Sequence, residues 1–265
     1  MAAKRGMNER IQKLRELSVT TPVHIDLERA KIETDFYKAN DGKYSIPVMR
    51  SMVLKEYFSK KTLYLGEGEL IVGEKGKDPQ ASPTFPELCC HSVEDMTVMS
   101  ERDLVSFHTT EEDRKLQAEE IIPFWQGRSM REKLLAAMTP EWNDCYSAGM
   151  FTEFMEQRGP GHTCGGEQVF TTGYMDYKAK IKKTMDELDF MNDPEAYDKM
   201  EELKAMDISC DAVIILGERY HKLALEMAEK EADPVRKEEL KQIAANLEVV
   251  PAHKPQTFWQ AIQLY

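Results

Sequence analysis

The chain has 265 residues, enough for one large domain or two ordinary ones, and carries 47 acidic against 35 basic residues for a net charge of −12. No long basic run offsets that charge, which excludes the usual electrostatic surface for nucleic acid or anionic membrane. No apolar run approaches the roughly 20 residues of a membrane helix. The charged start MAAKRGMNERIQKLREL has no apolar signal core, and five cysteines without a CxxC pair read as reduced thiols, so the expectation is a cytoplasmic protein.

Helical spacing dominates along the chain. A polar helix is predicted from Asn8 to Ser18, with Ile11 and Leu14 on one side. A second is predicted from Asp26, a suitable N-cap, to the Asn40-Asp41-Gly42 turn. Ile46-Pro47 opens a third, with Val48, Met52, Val53, Tyr57 and Phe58 at helical intervals. The period then changes: within GEGELIVGEKG, the run Leu70-Ile71-Val72 between glycines predicts a buried strand or a tight loop. Pro79, Pro83 and Pro86 exclude regular structure across KDPQASPTFPELCC, which is expected as an extended connector.

Thr109 with Glu112 three residues on predicts a capping box for a helix reaching Trp125. Another helix covers Met130 to Met138, and Thr139-Pro140 starts one that breaks at Gly159-Pro160-Gly161. Tyr177, Ile181, Met185 and Leu188 mark an amphipathic helix. Asp193-Pro194 begins a long one whose apolar stripe includes Leu203, Met206, Cys210, Val213, Gly217, Tyr220, Ala224 and Met227. Asp233-Pro234 begins another, ending near Leu247, and Pro255 is expected in the first turn of a last helix bearing Phe258, Ile262 and Tyr265. The chain stops inside that apolar pattern without a C-cap or polar tail, the expectation for part of a longer product. Without repeats or low-complexity tracts, the fold class expected is mostly α with little sheet.

Chemistry is expected in the stretch from Thr139 to Gly173. It sets His162 on a glycine-rich loop beyond a helix end, where unpaired carbonyls favour an imidazolium. A partly protonated histidine is suited to giving a proton to a leaving oxygen. A loop histidine bonded to a nearby carbonyl fits the spacing at least as well. Phe151 and Phe154, three apart on the preceding helix, wall either the core or a cavity. Glu153, Glu156 and Glu167 can pair with Arg158 or face water, and spacing makes none of them a base.

Cys89-Cys90-His91 has no second ligand pair at zinc spacing, so no metal site is expected there. Cys145 and Cys210 fall on helix faces as core, and Cys164 alone has a loop setting that reagents could reach. Glycines 161, 165, 166 and 173 do not form a phosphate loop, and HExxH, GxSxG and kinase patterns are absent.

Whole segments carry more than their periodicity. IPVMRSMVLKEYF (46–58), GELIVGEKG (68–76), EEIIPFW (119–125) and VVPAHKPQTFWQAIQLY (249–265) resemble the N-terminal portion of the glycyl radical enzymes, the pyruvate formate-lyase-like family. The last follows the family's PAxxFxEAxQ-type pattern, with Gln260 where glutamate is usual. PTFPELCCHSVEDM (83–96), MTPEW (138–142), AGMFTEFMEQRGPGHT (148–163) and CDAVIILGERY (210–220) resemble the branch of that family that dehydrates hydroxyproline.

The resemblance implies that residues 1–265 are the N-terminal portion of an enzyme built on a ten-stranded α/β barrel. In such enzymes a GCxE-type cysteine loop meets an RVxGY-type loop whose glycine carries a radical installed by a radical SAM activase. Neither motif is expected here: Cys164 and Glu167 have the wrong spacing, and Thr172-Gly173-Tyr174 lacks the Arg-Val lead. The implied activity is an anaerobic lyase removing water from trans-4-hydroxy-L-proline to give a pyrroline-5-carboxylate. No cofactor is bound directly, a homodimer is the family's frequent state, and the 265 residues alone are expected to be inactive. By position in the matching motif, His162 would protonate the departing C4 hydroxyl and Phe154 would wall the substrate ring. The alternatives are a glycerol or propanediol dehydratase or a formate acetyltransferase, differing around Phe154 and His162. A free-standing helical binding or scaffold protein is a further one, against which the apolar end Ile262-Gln263-Leu264-Tyr265 argues.

Overall fold

A computed structural model of the chain describes residues 8–151 and 166–265. Asn8 caps α1 (Glu9–Thr20) by accepting from the Ile11 amide at 2.9 Å. Asp26 ends a short strand, β1 (His24–Asp26), rather than capping the next helix, α2 (Glu28–Asn40), whose N-cap is Leu27. Its carboxylate still serves that helix, accepting from the Glu28 amide at 2.9 Å. α3 (Ile46–Lys60) starts where Pro47 predicts.

The prolines after α3 do not exclude regular structure. β2 (Ala81–Pro83) pairs in parallel with β1, with Ile25 opposite Ser82, and forms the one sheet among the described residues. Pro83 is tolerated because β2 is an edge strand and ends there, so no ladder partner needs its missing donor. On the other side of β1, Ile25 donates to the His108 carbonyl at 2.9 Å.

α4 (Val93–Glu101) follows, then α5 (Glu111–Leu116), a π turn (Gln117–Ile121) and α6 (Ile122–Trp125) in one run. The capping box of α5 is Thr110 with Asp113, one residue later than predicted. The Thr109 hydroxyl is taken instead by Arg114, which donates to it at 2.8 Å. Pro123 accounts for the π turn: its ring has no N–H and crowds the turn before it, and the helix widens so that Ile122 donates to Gln117.

α7 (Met130–Ala137) agrees with its prediction, and α8 (Pro140–Ser147) starts at its expected cap, Thr139. α8 ends early, however. Gly149, at φ +72°, turns the chain out of the helix, so Phe151 lies beyond it rather than on it. The expected break at Gly159-Pro160-Gly161 falls outside the described residues.

α9 (Gln168–Thr171) and α10 (Tyr174–Asp186) lead into α11 (Ala196–Lys230), a helix of 35 residues. α12 (Pro234–Val249) and α13 (Phe258–Leu264) complete the chain; Thr257 caps α13, and Pro255 precedes it. α11 is the spine on which α3, α10 and α12 pack. Its buried positions are mostly small: Ala205, Cys210, Ala212, Gly217, Tyr220, Ala224 and Ala228. Counting large apolar residues therefore misplaces part of the stripe, and Met206 is 53% exposed.

Two cores result. Tyr220, Ala224 and Ala228 of α11 pack with Leu65 and with Leu240, Ile243, Ala244 and Leu247 of α12. Ile25, Leu27, Ala30, Met96, Ile121 and Trp125 form the other, where the Trp125 indole donates to Thr34 Oγ1 at 2.8 Å. Filling either with alanine would cost about 2–5 kcal/mol per large residue.

Residues 66–76, beyond α3, form a loop rather than a strand, and other elements' side chains hold its backbone. Arg236 donates to the Gly66 and Glu69 carbonyls at 3.0 and 2.7 Å, and the Trp259 indole donates to Leu70 O at 2.7 Å. Gln263 takes both polar groups of Val72, accepting from its N–H at 2.9 Å and donating to its carbonyl at 3.0 Å, as a strand neighbour would. Lys61 donates to Glu74 O and Lys75 O at 2.6 and 3.1 Å. These bonds replace the ladder that a strand would have supplied.

Candidate functional site

The sequence-predicted site residues His162 and Phe154 lie outside the described residues, as do Glu153, Glu156, Arg158 and Cys164. The flanks of that stretch are described. On the N-terminal side, Phe151 meets Trp142 at 4.9 Å and Tyr146 at 6.0 Å between ring centroids, and Trp142 stacks on Tyr146 at 5.4 Å. Arg131 donates to the Tyr146 hydroxyl at 3.0 Å, tying this cluster to α7.

On the C-terminal side, Gly173 is buried against the chain leading to α13. Tyr174 and Met175 donate to the Pro251 and Ala252 carbonyls at 3.1 and 2.9 Å. A Cβ at Gly173 would run into the backbone of Ala252 and His253, so this glycine serves close approach.

Val169, Thr172 and Tyr174 are also part of the wall of a cleft of about 1130 Å³, bounded by α2, α3, α10 and α11. Its charged wall comes from three elements. Arg29 of α2 grips Glu87 with both arms, at 2.7 and 3.1 Å, and donates to the Thr84 carbonyl at 3.2 Å. The Phe85 ring lies 4.0 Å from the guanidinium carbon. Glu33, one turn along α2, brings Oε2 to 2.7 Å from Arg29 Nη1. Yet that oxygen accepts no hydrogen bond, because the Arg29 N–H groups point to Glu87 and Thr84.

The Glu33 side chain is 3% exposed. Burial pushes its carboxyl up to about 8, with Arg29 pulling the other way and Glu87 adding to the rise. Arg50 of α3 also lines the cleft and acts on Glu33 through space. The spacing of Arg29 and Glu33 is visible in the sequence as an i,i+4 pair, but nothing there signals Glu87, which folding brings from 58 residues away.

The remaining candidates are structural in place. Burial pushes the Cys90 thiol up to about 11 and lowers His91, so both are neutral near pH 7. Cys210 is buried on α11, and burial raises its thiol as well. Cys145 is only half-buried on α8. Gln260 donates its backbone amide to the Thr257 cap at 3.2 Å, and its side-chain oxygen accepts from the Gln256 amide, one residue before the cap, at 2.8 Å. Among the described residues no cluster of His, Cys, Asp and Glu is placed to hold a metal ion, and no helix is long and apolar enough to cross a membrane.

Comparison with known proteins gives this architecture its relatives. The chain is 52% identical over 261 residues to trans-4-hydroxy-L-proline dehydratase of Clostridioides difficile, covering 98% of this chain and 33% of that protein. The crystal structure of hydroxyproline dehydratase from Clostridioides difficile, with trans-4-hydroxy-L-proline bound, superposes with a TM-score of 0.94, covering 98% and 33% of the two chains. A structure for 1,2-propanediol dehydration in Roseburia inulinivorans gives 0.90 at 29% identity, covering 98% and 32%. A glycyl radical enzyme from Archaeoglobus fulgidus gives 0.84 at 28% identity, covering 97% and 33%.

The chain thus spans about a third of the length of these relatives. The mostly α character expected from the sequence is present, as one part of the glycyl radical enzyme fold. The pyruvate formate lyase-like profile matches residues 7–265, nearly the entire chain, and the chain belongs to that family.

Proposed function

We propose that these 265 residues are the N-terminal portion of a glycyl radical dehydratase that converts trans-4-hydroxy-L-proline to a pyrroline-5-carboxylate. One contrast carries the substrate. The fold is shared almost equally with the hydroxyproline and propanediol structures, at TM-scores of 0.94 and 0.90, but identity falls from 52% to 29% between them. A fold held in common does not select a substrate; the residues do.

Dehydration requires the C4 oxygen to leave as water, and a positioned acid lowers that barrier. His162 is the proposed proton donor, and Phe154 the apolar wall that orients the ring and excludes solvent. A radical installed by a radical SAM activase on a glycine outside this chain, and relayed through a cysteine also outside it, would supply hydrogen-atom abstraction. The likeness to glycyl radical enzymes supports that reading, and the activase and a second subunit are the proposed partners.

The test uses the complete protein, activated anaerobically. Hydroxyproline should be consumed in preference to glycerol or 1,2-propanediol, and preference for a diol would overturn the substrate. His162→Ala should lower kcat by about 10²–10⁴-fold with a smaller change in KM. A rate near wild type would remove the proton-donor role. The 265 residues alone should show no turnover.

A further inference from the structure

Two glycines meet one stretch of chain, residues 251–253. A Cβ on Gly217 of α11 would sit 2.5 Å from Pro251 Cδ, and a Cβ on Gly173 would sit 2.5 Å from the Ala252 carbonyl oxygen. The stretch therefore lies hard against both the spine and the start of α10. Gly173 is not needed for backbone freedom: at φ −96° and ψ 169° it is extended, a conformation open to any residue. Nor is it the strongest N-cap, since serine, asparagine or aspartate would serve α10 better. Close approach alone requires it. The Tyr174 and Met175 amides, which the first turn of α10 leaves without helical partners, hold the contact by donating to the Pro251 and Ala252 carbonyls.

We propose that Gly173 is a positioning residue for the dehydration, setting through this joint where His162 stands. This rests on the reading of His162 as the proton donor. The described chain resumes at residue 166, four residues after His162, and from there it is tied to α10. The Thr172 amide donates to the Gln168 carbonyl at 3.0 Å, and the Tyr177 hydroxyl donates to Gln168 Oε1 at 3.2 Å. α10 is fixed in turn on α11 by Lys178, whose ammonium lies 2.7 Å from both Asp207 Oδ1 and Asp211 Oδ1. A methyl group at Gly173 would have to part the two backbones by about 1 Å to restore contact distance. Both partners of the joint are held on α11, so the shift passes to residues 166–172, the side that leads to His162. A catalytic group about 1 Å out of place loses about 10²-fold in rate.

The test uses the complete protein, activated anaerobically, with kcat and KM for hydroxyproline followed from about pH 6 to about pH 9. A proton donor makes kcat fall as pH rises through its own pKa. Gly173→Ala should lower kcat about 10²-fold, leave KM within about threefold, and flatten that fall, because a displaced donor no longer gates the rate. Gly217→Ala crowds the same stretch through the Pro251 ring rather than through backbone, so it is the milder variant and decides the matter if Gly173→Ala does not fold. It should lower kcat at least about threefold with the same flattening. A kcat within about twofold of wild type in the folded variant would overturn the proposal. So would a lower kcat that keeps the wild-type pH profile, since loosened packing reduces the rate without touching the donor's titration. His162→Ala, run alongside, separates the two readings. A rate near wild type there sinks the proton donor and the positioning with it, whereas a large loss beside wild-type profiles in the glycine variants sinks only the positioning.

Discussion

The loop at 66–76 and the cleft wall around Glu33 solve the same problem with opposite results. Both put polar groups out of water that no backbone ladder pairs: main-chain carbonyls in the loop, side-chain carboxylates on α2 and after it. At 66–76, Arg236, Trp259, Gln263 and Lys61 reach in from α12, α13 and the end of α3 and satisfy the backbone carbonyls in turn. At the cleft, Arg29 satisfies Glu87 completely and leaves Glu33 with proximity but no aligned donor. The first region is finished by residues within this chain. The second is left open by the same standard, at Glu33 Oε2, and burial answers by raising that carboxyl towards its neutral form.

The largest expected effect comes from making the unfinished region titrate. The folded-state value of Glu33 is raised from 4.5 to about 8, so between those limits the folded chain holds a proton the unfolded chain has released. Its contribution is then fully present below about pH 4.5 and lost as pH rises through about 8. At about 1.4 kcal/mol per pKa unit, the 265-residue chain should lose up to about 5 kcal/mol of stability over that window. Urea unfolding at a series of pH values measures it, and Glu33→Gln should flatten the profile. A profile in Glu33→Gln as steep as in wild type would show that the carboxyl is not the titrating group.

Next in size is breaking the finished region. Arg236→Ala strips the Gly66 and Glu69 carbonyls of their partner and removes the ion pair to Glu239, which should cost about 3 kcal/mol. A loss under about 1 kcal/mol in the same urea assay would mean that water replaces the guanidinium and the clamp is dispensable. The smallest effect is expected at Gln260→Glu. Its side-chain oxygen already accepts from the Gln256 amide as a carboxylate oxygen would, so the thermal midpoint should shift by an amount worth less than about 0.5 kcal/mol.

Helix positions were largely legible because caps and prolines mark them locally: Thr139 caps as expected, and the helices expected to start at Asn8 and Asp233 have those residues as caps, although α11 starts at Ala196 rather than at Asp193-Pro194. The errors share a different origin. β2 forms across a proline because its only partner, β1, lies more than fifty residues away. Met206 is exposed because α11 buries alanines, which a search for large apolar residues passes over. The capping box fell on Thr110 rather than Thr109 because Arg114, one turn into the same helix, takes the Thr109 hydroxyl, a local competition that the Thr-to-Glu spacing does not weigh. The charged cleft was illegible for the reason β2 was, since no local pattern connects Glu87 to Arg29. His162 and Phe154 were legible only through likeness to a family, and they remain the proposal that activity must test.

α11 belongs to both regions' surroundings. Its first half lines the cleft through Ala205, Met206 and Cys210, and its second half is locked into the α12 core through Tyr220, Ala224 and Ala228. One helix of 35 residues, about 50 Å of continuous backbone, cannot order one half without the other. The open face is thereby preorganised by the closed one. Whatever settles into the cleft meets a floor that has already surrendered its conformational freedom, so the entropy of association falls almost wholly on the newcomer.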